Sequence, residues 1–261
     1  MKLIFSKYHG TGNDFILVDN LSNKYDWLTI SNIKNLCDRK FGIGADGFII
    51  LNNSIEFPFK MDYYNSDGSQ SFCGNGARCA ILFAESLGIS VSNITFEAID
   101  GSHFGSKKDS IISVQMRDVS TIKSVKNDFE LNTGSPHYVK LSEDISSASI
   151  LNFGKNIRYS ENYNLEGINV NLLKGITLSK IEIASYERGV EDETLSCGTG
   201  ATACALVWDK IQNTGLSSID VKVKGGELNI KFQRDNFDGY KNIFLSGPAN
   251  FIYSGEIEIV S

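Results

Sequence analysis

The sequence contains one short stretch twice. Cys73-Gly74-Asn75-Gly76-Ala77 returns as Cys197-Gly198-Thr199-Gly200-Ala201, 124 residues later. The match continues without a gap, because Ala77, Ala80, Ile81 and Ala84 align with Ala201, Cys204, Ala205 and Trp208. Upstream, Thr11-Gly12-Asn13 finds a counterpart in Thr133-Gly134-Ser135 at nearly the same offset. A chain built this way folds as two copies of one domain, and 261 residues suffice for two domains of ordinary size. The boundary falls in the weakly patterned stretch from Arg117 to Asp128. The expected domains are 1–117 with a returning strand in 250–261, carrying Cys73, and 118–249, carrying Cys197.

Each copy places a cysteine just before a run that is apolar almost all round, Ala77 to Leu87 and Ala201 to Ile211, which marks a buried helix. Around each helix the chain alternates short strand-like runs with turns. In the first half these are Lys2 to Tyr8, Phe15 to Val18, Phe48 to Leu51, Phe57 to Tyr64, Ile94 to Ala98 and Ile111 to Met116. A helix capped by Ser31 and ended by Gly42 carries Ile33, Leu36 and Cys37 on one face. The second half repeats the plan with Tyr138 to Leu141, Ile168 to Leu172, Ile181 to Tyr186, a hairpin about Gly225-Gly226, Ile243 to Leu245 and Phe251 to Val260. The expected fold class is α+β. Two pseudo-symmetric domains each wrap a strongly curved, mainly antiparallel sheet around a central helix.

A cysteine at a helix start has chemical consequences. The first backbone N–H groups of the helix lack internal partners, and the helix dipole adds partial positive charge there. Both favour a thiolate over a thiol, and the same donors can hold a carboxylate. Two such ends facing each other would hold one carboxylate between two thiols, an arrangement suited to removing a proton from one face of a carbon and returning it to the other. Taken singly, each cysteine could equally be a buried core residue. Repetition in one register favours the chemical reading. Cys37, Cys79 and Cys204 have no such counterpart, and packing explains them. Zinc ligation lacks its usual two-to-four-residue spacing, and no Cys-x-x-Cys pair is present. Phe41-Gly42-Ile43-Gly44-Ala45-Asp46-Gly47 matches G-x-G-x-x-G, but no helical pattern follows it, so no dinucleotide site is expected.

His9, His103 and His137 are candidate bases; His103 falls in a polar hairpin and is expected at the surface. His137 follows the repeated turn and would tune a thiol by proximity. Glu187-Arg188 is either a solvated turn or a recognition pair, Arg for a carboxylate and Glu for an ammonium. A net charge of −6 argues against nucleic acid as a partner. The first residues hold too short an apolar run for a signal peptide, and no run approaches membrane-spanning length. Five cysteines, an odd number, fit a reducing cytoplasm.

These motifs together resemble those of the diaminopimelate epimerase family. The pieces that carry the resemblance are His9-Gly10-Thr11-Gly12-Asn13-Asp14-Phe15, Asn65-Ser66-Asp67-Gly68, Cys73-Gly74-Asn75-Gly76-Ala77-Arg78-Cys79, Ser135-Pro136-His137, Glu187-Arg188-Gly189 and Cys197-Gly198-Thr199-Gly200-Ala201. The resemblance covers essentially the whole chain. It implies an isomerase that works without cofactor or metal, interconverting LL- and meso-diaminopimelate in lysine and cell-wall precursor biosynthesis, as a cytoplasmic homodimer. It implies Cys73 and Cys197 as the acid/base pair and Gly74, Asn75, Gly198 and Thr199 as the cradle of the reacting carboxylate. Asn13, Asn65, Asn169, Glu187 and Arg188 would hold the distal end of the substrate, with His137 and Glu187 tuning the thiols. The chain departs from the family at Gly47, where Gln is frequent, and at Ser135, where Asn is frequent. Two other readings use the same residues: an enzyme of the proline racemase and hydroxyproline epimerase group, and a non-catalytic amino-acid-binding protein.

Overall fold

The computed structural model describes residues 1–235 and 239–259, so Val260, the expected end of the last strand, lies outside the described residues. The chain divides into two compact units, Met1–Val114 with the returning segment from Pro248, and Gln115–Gly247.

The first unit runs β1 (Lys2–Gly10), β2 (Asn13–Asn20), α1 (Ile30–Cys37), β3 (Gly47–Asn52), β4 (Lys60–Asn65), α2 (Gly74–Ser86), β5 (Ile94–Ala98), β6 (Gly101–Lys108) and β7 (Ile111–Gln115). The second runs β8 (Lys123–Val125), β9 (Asp128–Asn132), β10 (Pro136–Leu141), α3 (Ser147–Arg158), β11 (Asn169–Thr177), β12 (Lys180–Glu187), β13 (Asp192–Thr194), α4 (Gly198–Gln212), β14 (Ser218–Val223), β15 (Gly226–Arg234) and β16 (Tyr240–Pro248). The last strand, β17 (Asn250–Glu258), returns to pair with β1.

The units share one pairing scheme. In the first, β17, β1 and β2 are antiparallel, β2 and β3 parallel, β3 and β4 antiparallel, β4 and β5 parallel, and β5, β6 and β7 antiparallel. In the second, β8, β9 and β10 are antiparallel, β10 and β11 parallel, β11 and β12 antiparallel, β12 and β14 parallel, and β14, β15 and β16 antiparallel. Register repeats as well. Phe15 is paired with Gly47 and Leu17 with Ile49, as His137 is with Asn169 and Val139 with Asn171, at a constant offset of 122 residues. The offset grows to 124 at the cysteines because the loop carrying β13 is two residues longer than its counterpart after β4.

Helix α2 packs against β1, β2, β3, β4 and β6, and α4 against β9, β10, β11, β12, β14 and β15, so each sheet wraps a helix as expected. The central residues of β2 and β3 are apolar on both faces because both are covered. Phe15, Leu17, Ile49 and Leu51 join Ala77, Ala80, Ile81 and Ala84 of α2 in one core. Ile16, Val18, Phe48 and Ile50 turn the other way and meet Ile33, Leu36 and Cys37 of α1. Each such fully buried side chain contributes roughly 1.5–3 kcal/mol.

Several expectations are corrected. The cap of α1 is Thr29 in a capping box with Asn32, not Ser31, which lies inside the first turn. That helix stops at Asp38, not Gly42, and the left-handed residue beyond it is Gly44. The second half contains another helix, α3, capped by Ser146 and packed on β11, β12 and β13. Among the described residues the second half therefore has two helices, as the first does. The turn between β14 and β15 is Lys224-Gly225, with Gly226 already in the strand.

Candidate active site

Cys73 and Cys197 each occupy the N-cap of a buried helix, in extended backbone with φ of −125° and −112°. Each sulphur accepts the N–H of the residue three positions on, Gly76 or Gly200, at 3.4 Å in both cases. Caps of this kind are normally Ser, Thr, Asp or Asn. A sulphur there meets the uncompensated N–H groups and the positive end of the dipole together. The three remaining cysteines lie in different surroundings. Cys37, Cys79 and Cys204 are buried, and burial pushes each thiol up, Cys37 to about 12.

In the first unit, Asn13 stands at the start of β2 beside the Cys73 cap. Its Nδ2 donates to Asp46 at 2.8 Å, and Asp46 is bound by Arg39 at 2.7 Å. Arg39 also holds Asp14 at 2.6 Å, as does Lys7 at 2.7 Å. Burial alone would raise the Asp14 carboxyl, but Arg39 and Lys7 hold it down at about 2. Thus fixed, Asn13 turns Oδ1 toward Cys73 Sγ at 3.8 Å and accepts from Asn75 Nδ2 at 3.3 Å. Asn75 Oδ1 in turn accepts from Arg78 at 3.0 Å. Asn65 sits at the end of β4, taking the Tyr63 hydroxyl at 2.8 Å and donating to Ser69 Oγ at 3.0 Å.

The second unit brings His137, Asn169, Ser135, Thr199 and Cys197 together. Asn169 Nδ2 donates to Ser135 Oγ at 2.9 Å, while its Oδ1 accepts the backbone N–H of Arg188 at 3.0 Å. The Thr133 hydroxyl donates to the carbonyl of Thr199 at 2.9 Å, fastening the repeated turn to the start of α4. Glu187 accepts from the Thr194 hydroxyl, and Arg188, exposed at the end of β12, donates to the Glu166 carbonyl at 2.8 Å. His137 is fully buried, and burial together with the Arg188 charge pushes it down to about 3. It is therefore a neutral imidazole at ordinary pH, hydrogen-bonded through both ring nitrogens.

The other two histidines have structural partners. His9 Nδ1 accepts the N–H of Gly12 and holds the first turn. His103 is not a surface side chain: its ring stacks on Phe72 with centroids 3.8 Å apart and bonds Asp100 at 2.9 Å.

Sequence reasoning passed over three residues here. Arg78 is completely buried in α2, and its partners, Asn75 Oδ1, Thr11 Oγ1 and the carbonyls of Gly74 and Pro248, are all neutral. Burial pushes its guanidinium down to about 10, and the Cys79 and Cys73 sulphurs pull it back. Tyr63 fills the space over Gly47, where a Cβ would lie 2.5 Å from the ring, and this explains why a longer residue is absent there. Asn171, paired through its side chain with His137, is the third. A charged residue in an otherwise apolar helix, and polar residues where the other copy has Phe15 and Ile49, were the available signals.

Among the described residues, no helix is long and apolar enough to cross a membrane. The profile of the family described as diaminopimelate epimerase matches residues 5–122 and 129–252. A diaminopimelate epimerase of Flavobacterium psychrophilum is 46% identical over 253 residues, covering 96% of this chain and 98% of that protein. One from Chlorobaculum tepidum is 36% identical over 259 residues, covering 96% and 99%. Among solved structures, a Bacillus anthracis phenazine biosynthesis protein of the PhzF family superposes with a TM-score of 0.78 at 11% identity, over 99% of this chain and 100% of that one. A hydroxyproline epimerase from Agrobacterium vitis does so at 0.69 and 9% identity, over 98% and 92%. Those two likenesses establish the shared fold. The family profile and the full-length relatives establish more: this chain belongs to the diaminopimelate epimerase family.

Proposed function

We propose that the protein interconverts LL- and meso-diaminopimelate by a two-base mechanism without cofactor or metal. The observation that carries this reading is the pair of cysteines with matching cap geometry in a chain of this family. Inversion at an α-carbon needs a proton acceptor on one face and a donor on the other, because a single base would return the proton to the face it left. Cys197 is the acceptor and Cys73 the donor from LL to meso, and the roles exchange in reverse. Backbone N–H groups at Gly74, Asn75, Gly198 and Thr199 hold the reacting carboxylate. Asn13, Asn65, Asn169, Glu187 and Arg188 receive the distal amino-acid end, while His137 and Glu187 tune the thiols.

Solvent exchange tests the reading. In D2O, either diaminopimelate isomer should gain deuterium at one α-carbon, and EDTA should leave the rate unchanged. Exchange into proline and not into diaminopimelate would favour the proline racemase group, and no exchange at all would favour a binding protein. Cys73→Ser and Cys197→Ser should each lower epimerisation by about 10²–10⁴-fold, the usual contribution of a general acid or base. Near-normal turnover by either variant refutes the two-base assignment. The same reading has the protein in the cytoplasm as a homodimer; sedimentation of the purified protein checks the dimer and cell fractionation the location.

A further inference from the structure

The second unit contains a run of hydrogen bonds whose direction can be worked out atom by atom. Asn171 is fully buried. Its Oδ1 accepts the Ser185 hydroxyl at 2.8 Å, and its Nδ2 donates to the Tyr138 carbonyl at 3.2 Å. The Tyr138 carbonyl can only accept, so it fixes which end of the amide is Nδ2, and the Ser185 hydroxyl donates to the other end. Nδ2 then also donates to His137 Nδ1 at 3.0 Å, so Nδ1 carries no hydrogen. The neutral ring must therefore hold its hydrogen on Nε2, which faces Ser135 Oγ at 3.1 Å and donates to it.

Ser135 Oγ now accepts from both His137 and Asn169, whose own amide is oriented by the Arg188 N–H. A hydroxyl has two acceptor positions and one proton. With both positions taken, that proton goes to Thr199 Oγ1, 3.3 Å away. The Thr199 hydroxyl hydrogen is left to point at Cys197 Sγ, at 3.5 Å.

We infer that Asn171, His137 and Ser135 are positioning residues that turn the Thr199 hydroxyl into a hydrogen-bond donor to Cys197, so that this sulphur is favoured as the thiolate. Every donor in the run, from Ser185 to Thr199, points the same way. Bonds so aligned polarise one another, and an anion gains most from the last of them. The Gly200 N–H and the Thr199 hydroxyl then both donate to Cys197. The Cys73 sulphur also takes a backbone N–H, that of Gly76, but the side-chain oxygen it faces, Asn13 Oδ1, can only accept. Charged groups on the strands of this unit have partners of their own. Glu130 on β9 meets Lys123 and Tyr163, Glu193 on β13 meets Lys224 at 2.6 Å, Glu187 meets Thr194, and Arg188 meets a carbonyl. Asp192 on β13 is exposed.

This inference rests on the proposed role of Cys197 as an acid/base group, and its test does not use turnover. In a Cys73→Ala background, the rate of Cys197 alkylation by iodoacetamide is followed against pH in substrate-free protein, with the labelled peptide measured by mass spectrometry. Ser135→Ala and Thr199→Val should each raise the alkylation midpoint by about one pH unit, which is tenfold less thiolate below the midpoint. Ser135→Thr, which keeps the hydroxyl, should restore it. In a Cys197→Ala background, Ser135→Ala should leave the Cys73 midpoint in place. Nitrogen-15 NMR of the parent protein should show the His137 hydrogen on Nε2. An unchanged Cys197 midpoint, an equal shift at Cys73, or a hydrogen on Nδ1 would overturn the inference. Failure of diaminopimelate exchange with the midpoint shifts intact would instead overturn the proposed substrate.

Discussion

Behind Cys73, strands β2 and β3 set Phe15 and Ile49, both fully buried. Behind Cys197, at the same two positions of the repeat, β10 and β11 set His137 and Asn171. The helices differ in the opposite sense. Arg78 of α2 is a buried cation among neutral partners, and its counterpart in α4, Thr202, returns its hydroxyl to the Gly198 carbonyl at 3.0 Å. One copy thus supports its sulphur from an apolar floor with a full charge in the helix. The other uses a neutral helix start and a polar floor. Identical cap geometry is compatible with either, because the two N–H···S bonds come from backbone that both copies share. The difference teaches that duplicated scaffolds diverge in side chains while the backbone stays fixed.

The sharpest way to break this comparison is to add one methyl group at the same place in each helix. A Cβ on Gly200 would lie 2.5 Å from Asn171 Oδ1, whose amide is held by three hydrogen bonds. A Cβ on Gly76 would lie 3.1 Å from the end of the Ile49 side chain, which can shift. Gly200→Ala should therefore cost about 3 kcal/mol of stability, in the range of overpacked cores. Gly76→Ala should stay within about 1 kcal/mol, since Ala also improves helix propensity by roughly that amount. Urea denaturation of both variants gives the numbers, and equal losses would remove the asymmetry.

Next in size is the buried cation. Arg78→Met takes the charge away from Cys73 and removes the Arg78 bond to Asn75 Oδ1. Bonds to charged groups are worth about 1.5–3 kcal/mol, so epimerisation should fall by roughly 10-fold to 10²-fold, with Arg78→Lys retaining part of it. Steady-state kinetics of the pair would show whether charge is what the first copy uses; a fully active Met variant would say it is not.

The smallest expected effect concerns pH. His137 is lowered from its ordinary value near 6.5 to about 3, so the unfolded chain binds a proton that the folded one excludes. Folding stability contributed by this exclusion is complete above about 6.5 and is lost as pH falls toward 3. At 1.36 kcal/mol per unit the loss reaches about 2 kcal/mol near pH 5. His137→Phe, which installs the residue of the other copy, should remove this part of the acid sensitivity while losing stability at neutral pH, where one Asn171 amide hydrogen loses its acceptor. Chemical denaturation at pH 7 and pH 5 checks the slope, and an unchanged slope would mean that His137 is not excluded from protonation.

Much of this was legible before any coordinates. The Cys-Gly-x-Gly-Ala repeat marked both helix starts, and the alternation around Val221 and Leu228 marked a hairpin whose turn lies one residue earlier than read. Helix α3 was missed because Gly154 interrupts its apolar face. That glycine is there because the Tyr186 ring lies where a side chain would be, a tertiary contact that leaves no mark in local periodicity. Asn171 was missed for a related reason. A polar residue at every second strand position is the usual sign of a solvated face. Only the comparison with Ile49 reveals that this face is covered.

The pairing of β17 with β1 bears on how the chain is made. The amino group of Met1 donates to the carbonyl of Ile259 at 2.6 Å, so the two ends of the described chain meet. On a ribosome, β1 emerges before its outer partner β17, with every residue of the second unit between them. The second unit has no such wait, because β8 and β9 are separated by only Lys126 and Asn127. It can condense as a continuous piece during synthesis, while the outer edge of β1 waits for β17. A nascent or truncated chain that stops before Asn250 would present that edge, with the apolar side chains Leu3 and Phe5 beside it, to other copies of itself. Joining the ends by a short linker and opening the chain elsewhere would deliver β17 and β1 together and shorten that exposure.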